Sequence, residues 1–175
     1  MIYGPREDSF LLQKIVKQEV KSTDKVLDMG TGSGIQAITA SEISKDTTAV
    51  DINPECINQL NNSRIKVIQS NLFENVEGKF DLIIFNPPSL PKDPNEPEDS
   101  ALATTGGEKG SEIIEEFLKQ AKEHLTKDGR ILLLYSSLSG NTEEIAKKNY
   151  SFKILAEESF DFEKIYVAKL KWPNL

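Results

Sequence analysis

The chain is 175 residues long, with 38% hydrophobic and 28% charged residues and a formal net charge of −7. That length suggests a single domain, residues 1–175, with a sizeable core, and no apolar run approaches the ~20 residues of a membrane span. The acid excess argues against a large phosphate-binding surface, and Cys56, the one cysteine, excludes an internal disulfide and a cysteine metal cluster.

The N-terminal residues carry no secretory core, so a cytoplasmic location is the expectation. Residues 3–6 read as an irregular opening. A helix starts near Asp8 or Ser9, either of which can cap it, with Phe10, Leu11, Ile15 and Val16 on one face. Residues 21–24 form a turn, and residues 25–29 are the first strand. That strand runs into Gly30-Thr31-Gly32-Ser33-Gly34 and then a helix over residues 35–43. Strand, glycine turn and helix together are how an α/β sheet holds a nucleotide-like ligand. The glycines follow G-x-G-x-G, with Ile35 at the third position of the dinucleotide fingerprint G-x-G-x-x-G. Asp28 precedes them. A carboxylate there repels a pyrophosphate and suits a ligand with a cationic end, such as the amino group and sulfonium of S-adenosylmethionine. A plain tight turn is the alternative.

Residues 45–47 break the pattern, and residues 48–51 form a second strand ending in Asp51. The spacing from the glycine turn suits a grip on ribose hydroxyls; a turn cap is the other reading. Asn53-Pro54-Glu55 is a helix start with Asn at the N-cap and Pro at the first position. Cys56 in its first turn reads as a small buried residue. Residues 64–69 are a third strand, followed by Asn71, whose amide could meet an adenine edge, beside Leu72 and Phe73. The fourth strand, residues 79–85, is nearly continuous in apolar residues, as a strand covered on both faces requires. It ends in Asn86-Pro87-Pro88-Ser89. Residues 90–110 show no periodicity and read as a lid beside a site, or as a surface insertion.

Residues 111–125 form the clearest helix, with Ser111 as cap and Gly129 at its C-terminal end. His124, the sole histidine, falls in its last turn and has no acid or nucleophile in a motif with it. A fifth strand spans residues 131–135, a short helix residues 141–148 with Asn141 or Thr142 as cap, and residues 152–156 and 165–170 pair as an antiparallel hairpin. The fold class is therefore α/β: a doubly wound, mostly parallel sheet of seven strands with a C-terminal antiparallel hairpin. Asp28, Asp51, Asn71 and Asn86 all occupy strand ends, where such sheets bind ligands.

Asp28 to Gly34, then Asp51-Ile52-Asn53-Pro54, then Asn86-Pro87-Pro88 resemble a class I S-adenosylmethionine-dependent methyltransferase, most closely the HemK family of protein-glutamine methyltransferases. Pro5 to Leu12 and Gly106-Gly107-Glu108-Lys109-Gly110 resemble its short archaeal and eukaryotic branch; the bacterial branch has an extra N-terminal helical domain, for which this chain leaves no room. The resemblance implies S-adenosylmethionine as cofactor. Asp28, Gly30, Gly32 and Gly34 would hold its methionine part, Asp51 its ribose, and Asn71 and Leu72 its adenine. Ser9, Thr31, Ile52 and Asn86 would complete the cofactor site, with no metal. The implied substrate is the glutamine of the Gly-Gly-Gln motif of class I translation release factors. By the same resemblance Asn86, Pro87 and Pro88 would form the catalytic turn, in which the Asn86 side-chain oxygen and the Pro87 carbonyl would hold the substrate amide. The implied partner is a small zinc-binding activator subunit on the apolar edge strand 64–69; no membrane is expected.

Two positions depart from the family. Ser89 stands where an aromatic usually follows the two prolines, and Asn71 stands where aspartate is commoner. Adenine-N6 methylation of DNA or RNA is a competing reading, because those enzymes share Asn-Pro-Pro. The acidic balance and Ser89 weigh against it, since a flipped base needs a stacking surface. A cofactor-binding domain without activity is a third.

Overall fold

The computed structural model describes residues 4–61 and 63–173. Of the expected irregular opening, residue 3 lies outside the described residues, and residues 4–6 form neither helix nor strand. In chain order the elements are α1 (Glu7–Glu19), β1 (Lys25–Met29), α2 (Ile35–Ser41), β2 (Asp46–Asp51), α3 (Pro54–Asn58), β3 (Lys66–Gln69) and β4 (Phe80–Phe85). Then come α4 (Glu98–Thr104), α5 (Glu112–Ala121), a 3-10 turn (Lys122–His124), β5 (Leu125–Ser136), α6 (Thr142–Lys147), β6 (Ser151–Ser159) and β7 (Lys164–Lys171).

The strands form one seven-stranded sheet in the order β3-β2-β1-β4-β5-β7-β6. β1 to β5 pair in parallel, and β7 runs antiparallel to both β5 and β6. The chain works outward from β1 to β3, then returns past β1 to β4. Beside β1 and β4 the winding therefore reverses, and the crevice at the carboxyl ends of these strands is where this architecture opens a site.

The continuous apolar run of β4 follows from burial on both faces. Leu82 and Ile84 point to one side, where α1 packs with Leu12, Ile15 and Val16. Ile83 and Phe85 point to the other, where α5 packs with Ile114, Phe117 and Ala121. Alternation along the strand sends each neighbour to the opposite face, so both must be apolar.

Several boundaries differ from expectation. α1 starts at Glu7, so Asp8 and Ser9 lie inside its first turn; Ser9 Oγ accepts instead from the Arg6 N–H at 3.4 Å. β2 begins at Asp46, because pairing with Lys25 of β1 carries it through the polar break. β3 starts at Lys66, leaving residues 64 and 65 outside the strand. Asn53 caps α3 as expected, accepting from Glu55 N–H at 3.0 Å. Ser111 is the N-cap of α5 but makes no side-chain capping bond; the Glu112 carboxylate takes the Lys109 N–H at 2.9 Å. Gly129 lies within β5, not at a helix end, where the pairing with β4 shifts register between Phe80 and Leu82. Asn141 flanks α6 without a capping bond, and Thr142 Oγ1 donates to Ser139 O at 2.7 Å.

Candidate active site

The glycine turn is fixed from two sides. Thr31 N–H donates to Val50 O at 2.8 Å, Gly32 N–H donates to Asp51 Oδ2 at 2.8 Å, and Gln59 Nε2 donates to Gly32 O at 2.6 Å. β2 and α3 thus hold the loop that β1 feeds. At Gly34 the backbone is left-handed, with φ of 83°, and an added Cβ would lie 2.8 Å from Leu60 Cδ2. Only glycine lets the chain enter α2 this close to α3.

Asp28 is almost completely buried at the end of β1. Its Oδ2 accepts from Thr31 Oγ1 at 2.6 Å and from Ala37 N–H at 3.0 Å. Burial pushes the carboxyl up to about 7; the Asp51 charge adds to this, and the two hydrogen bonds oppose it. Among the described residues no cation pairs with it. Asp51 uses one oxygen for Gly32 N–H and the other for Asn53 N–H at 2.9 Å. Each carboxylate oxygen keeps a second acceptor site.

After β3 the chain turns sharply. Buried Ser70 donates through Oγ to Leu72 O at 2.8 Å and accepts from Asn75 N–H at 3.0 Å. This turn holds Leu72 at φ of 48°, the one described non-glycine residue with positive φ. Such a conformation costs of order 1–3 kcal/mol and clusters at ligand sites. Asn71 is exposed beside it, its Nδ2 donating to Glu74 Oε1 at 3.3 Å.

β4 delivers Asn86 to the same edge. Asn86 Nδ2 donates to Asp8 Oδ2 of α1 at 3.4 Å. Among the described residues nothing donates to the Pro87 carbonyl. Residues 90–110, expected to lack regular structure, contain α4 and close on themselves. Leu90 N–H donates to Thr104 O at 2.8 Å, and Gly106 N–H donates to Leu90 O at 2.9 Å. Glu96 ties the loop together: Oε1 accepts from Ser100 Oγ at 2.5 Å and Thr104 Oγ1 at 2.6 Å, and Oε2 from Thr105 Oγ1 at 3.2 Å. A Cβ on Gly106 would lie 2.6 Å from Pro88 O, so the loop's base presses backbone to backbone on the Pro-Pro turn.

These segments enclose one cleft of about 1180 Å³. Ser9, Asp28, Gly30, Thr31 and Gly32 line it, as do Asp51, Ile52, Asn71 and Leu72, and then Asn86, Pro87 and Pro88. Gly34 does not; its place is the entry to α2. Ser70, Asp8 and Phe160 of the β6–β7 turn also face the cleft and were assigned to no site from the sequence, whereas Leu102 of α4 faces it from the stretch expected as a lid. Ser89 lines it too, nearly buried. Cys56 reaches the wall, but burial, with Asp51 nearby, pushes its thiol up to about 11, so it stays protonated. His124 lies outside, stacked on Phe73 at 4.5 Å with Nδ1 2.9 Å from Gly78 O.

Residues 7–162 match the family model of the methyltransferase small domain. A Methanocaldococcus jannaschii chain designated a protein N5-glutamine methyltransferase is 42% identical over 95% of this chain and 89% of its own length. The mouse methyltransferase HEMK2 is 31% identical over 83% of this chain and 76% of its own. The release factor glutamine methyltransferase of Lactococcus lactis is 27% identical, and this chain spans 62% of it. Among solved structures, the Mtq2-Trm112 complex of E. cuniculi matches with a TM-score of 0.79, 22% identity and coverage of 98% and 99% of the two chains. The fold is that of an S-adenosylmethionine-dependent methyltransferase. Within that class the chain belongs to the methyltransferase small-domain family, grouping with the protein N5-glutamine methyltransferases.

Proposed function

We propose that the chain methylates the side-chain amide nitrogen of the glutamine in the Gly-Gly-Gln motif of a class I translation release factor. The observation that carries the reading is the pairing at the end of β4: the Asn86 side chain, held by Asp8, beside a Pro87 carbonyl that no described group occupies.

The cleft fits S-adenosylmethionine. Buried Asp28 has hydrogen bonds but, among the described residues, no cation, which suits the ammonium of the methionine part. Asp51 has free acceptor sites for ribose hydroxyls, and Asn71, Leu72 and Ile52 offer an amide edge and apolar cover for adenine. Ser9 and Thr31 border the methionine end. When bound, the cofactor supplies an electrophilic methyl group on a sulfonium.

An amide nitrogen is a weak nucleophile because its lone pair is delocalised. Its two N–H groups are donors, and Asn86 Oδ1 and the Pro87 carbonyl are acceptors. Two bonds fix the nitrogen's position and plane. Pro88 stiffens the turn and presents no donor to compete. Orientation of this kind can supply a large part of the ~7–11 kcal/mol available from positioning. The acids Glu7, Asp99, Glu112, Glu116 and Glu163 around the cleft repel a phosphate backbone, which favours a protein over a nucleic-acid substrate.

The partner reading extends this. Among the described residues β3 pairs only with β2 and lies at the sheet edge, its residues half-buried or exposed, so its outer backbone groups suit addition of another strand. A small zinc-binding activator subunit along β3 is the partner we assign.

The test is incubation with labelled S-adenosylmethionine and, separately, release factor, DNA and RNA. Label on the Gly-Gly-Gln glutamine is the expected result, and label only in nucleic acid overturns it. Asn86→Ala should lower turnover roughly 100- to 1,000-fold, the scale for losing one preorganised polar contact. Co-expression with the activator should raise solubility and turnover; no change in either removes the partner.

A further inference from the structure

We infer that Asp8 is a positioning residue whose carboxylate decides which end of the Asn86 amide faces the substrate. The inference rests on the glutamine reading above and adds a residue to it.

A primary amide has a donor end and an acceptor end of nearly the same shape, and its neighbours decide which way it points. Asp8 Oδ2, 3.4 Å from Asn86 Nδ2, is the one described side-chain partner of Asn86. An ionised carboxylate only accepts. It therefore draws the NH2 end toward α1 and turns Oδ1 away from it. In the reversed orientation the Asn86 carbonyl would face the carboxylate, acceptor against acceptor. The NH2 would then confront the substrate nitrogen, donor against donor, and the clamp would repel the group it must hold. The contact is long, as bonds at such sites often are before the substrate arrives.

Asp8 is itself held in place. Leu12, Ile15 and Val16 bury the inner face of α1 against the sheet. Gln36 Nε2 donates to Ser9 O at 2.9 Å, tying the first turn of α1 to α2. The carboxylate thus sits on a packed helix, 78 residues away in sequence from the amide it orients. Both Asp8 and Asn86 line the cleft.

The test compares the native chain with Asp8→Asn and Asp8→Glu, using the release factor and labelled S-adenosylmethionine. S-adenosylhomocysteine binding is followed by calorimetry as a check on folding and on the cofactor site. A side-chain amide at position 8 can accept or donate, so it no longer dictates the flip. Asp8→Asn should lower kcat about tenfold, the weight of one charge-assisted hydrogen bond, with S-adenosylhomocysteine affinity unchanged. Asp8→Glu should recover part of the loss. A second readout uses a release factor carrying glutamate in place of the target glutamine. Its carboxylate oxygens need donors, so it should bind the native chain more weakly than the glutamine form does, and Asp8→Asn should narrow that gap. A merely structural role would leave the preference unchanged. Native-level turnover in Asp8→Asn, parallel loss of S-adenosylhomocysteine binding, or an unaltered preference each overturns the role of Asp8 while leaving the substrate reading intact. A native chain that leaves the glutamine unlabelled removes both.

Discussion

Asp28 is the residue where electrostatics and ligand binding are most tightly joined. Its folded carboxyl titrates near 7, against 3.8 for the free group, chiefly because burial penalises the charge. A raised carboxyl means that the folded chain holds the proton more tightly than the unfolded chain does. The resulting stability is fully present below about pH 4 and is lost as the pH rises through about 7, an effect of up to about 4 kcal/mol. A ligand bringing a cation to Asp28 favours the ionised form and expels the proton. We therefore expect S-adenosylhomocysteine affinity, measured by calorimetry, to rise by up to about tenfold per pH unit from 5 to 7 and then level off. Asp28→Asn should flatten that profile, lower affinity by roughly 10- to 100-fold as expected for a lost charged hydrogen bond, and raise the apo unfolding temperature at pH 8. Asp28, Asp51 and Asn86 were legible in the sequence because each ends a short apolar run, and in a parallel sheet the strand ends meet at one edge. Ser70 and Asp8 were not. Ser70 is a turn residue whose side-chain bonds reach only Leu72 and Asn75, and Asp8 acquires its part only once α1 packs beside β4.

Among the elements, the segment between β4 and α5 departs furthest from expectation. Its prolines and glycines hide a helix of seven residues, α4, too short to show a period. What orders it is Glu96, which collects three hydroxyls from Ser100, Thr104 and Thr105. The Ser100 hydrogen bond, followed by that from Thr104, holds the Glu96 carboxyl below its ordinary value. A depressed carboxyl contributes order above its unfolded pKa and loses it as the pH falls through the folded one, so the loop should loosen only in acid. Glu96→Ala should do the same at neutral pH. Hydrogen exchange of the amides of α4 should quicken about tenfold while those of α5 keep their rate. If the loop is a lid, kcat should fall more than cofactor affinity, since Leu102 and Thr104 line the cleft from this side. The helix expected at residues 111–125 shows a different error. Its apolar stripe runs on past Ala121 because Leu125 is also buried, but as the first residue of β5, and periodicity alone does not separate a last helical turn from a first strand residue.

At the scale of the whole molecule, chemistry and anchorage occupy opposite edges of the sheet. The carboxyl ends of the strands carry the cleft. Near the amino ends lies Arg130 of β5, buried and joined to three other segments. It donates to Asp24 Oδ1 at 3.1 Å and Oδ2 at 2.8 Å, to Asp81 O at 3.0 Å and to Glu19 O. The Glu19 carboxylate in turn holds Lys169 of β7 at 3.0 Å. Burial alone would raise the Asp24 carboxyl, but the Arg130 hydrogen bonds and the Lys21 N–H outweigh it and hold it low. The pair's stability is present above the unfolded carboxyl pKa and is lost as the pH falls through the folded one. Arg130→Ala strands the Asp24 carboxylate and should lower unfolding free energy by about 3–5 kcal/mol, read from the urea midpoint at pH 7. The double variant Arg130→Met with Asp24→Leu, which removes both charges, should recover most of that loss. Because this clamp stands a full strand length from the glycine turn, both variants should bind S-adenosylhomocysteine with native affinity while folded. A weakened affinity in the double variant, after its stability has returned, would mean that the two edges are coupled through the strands.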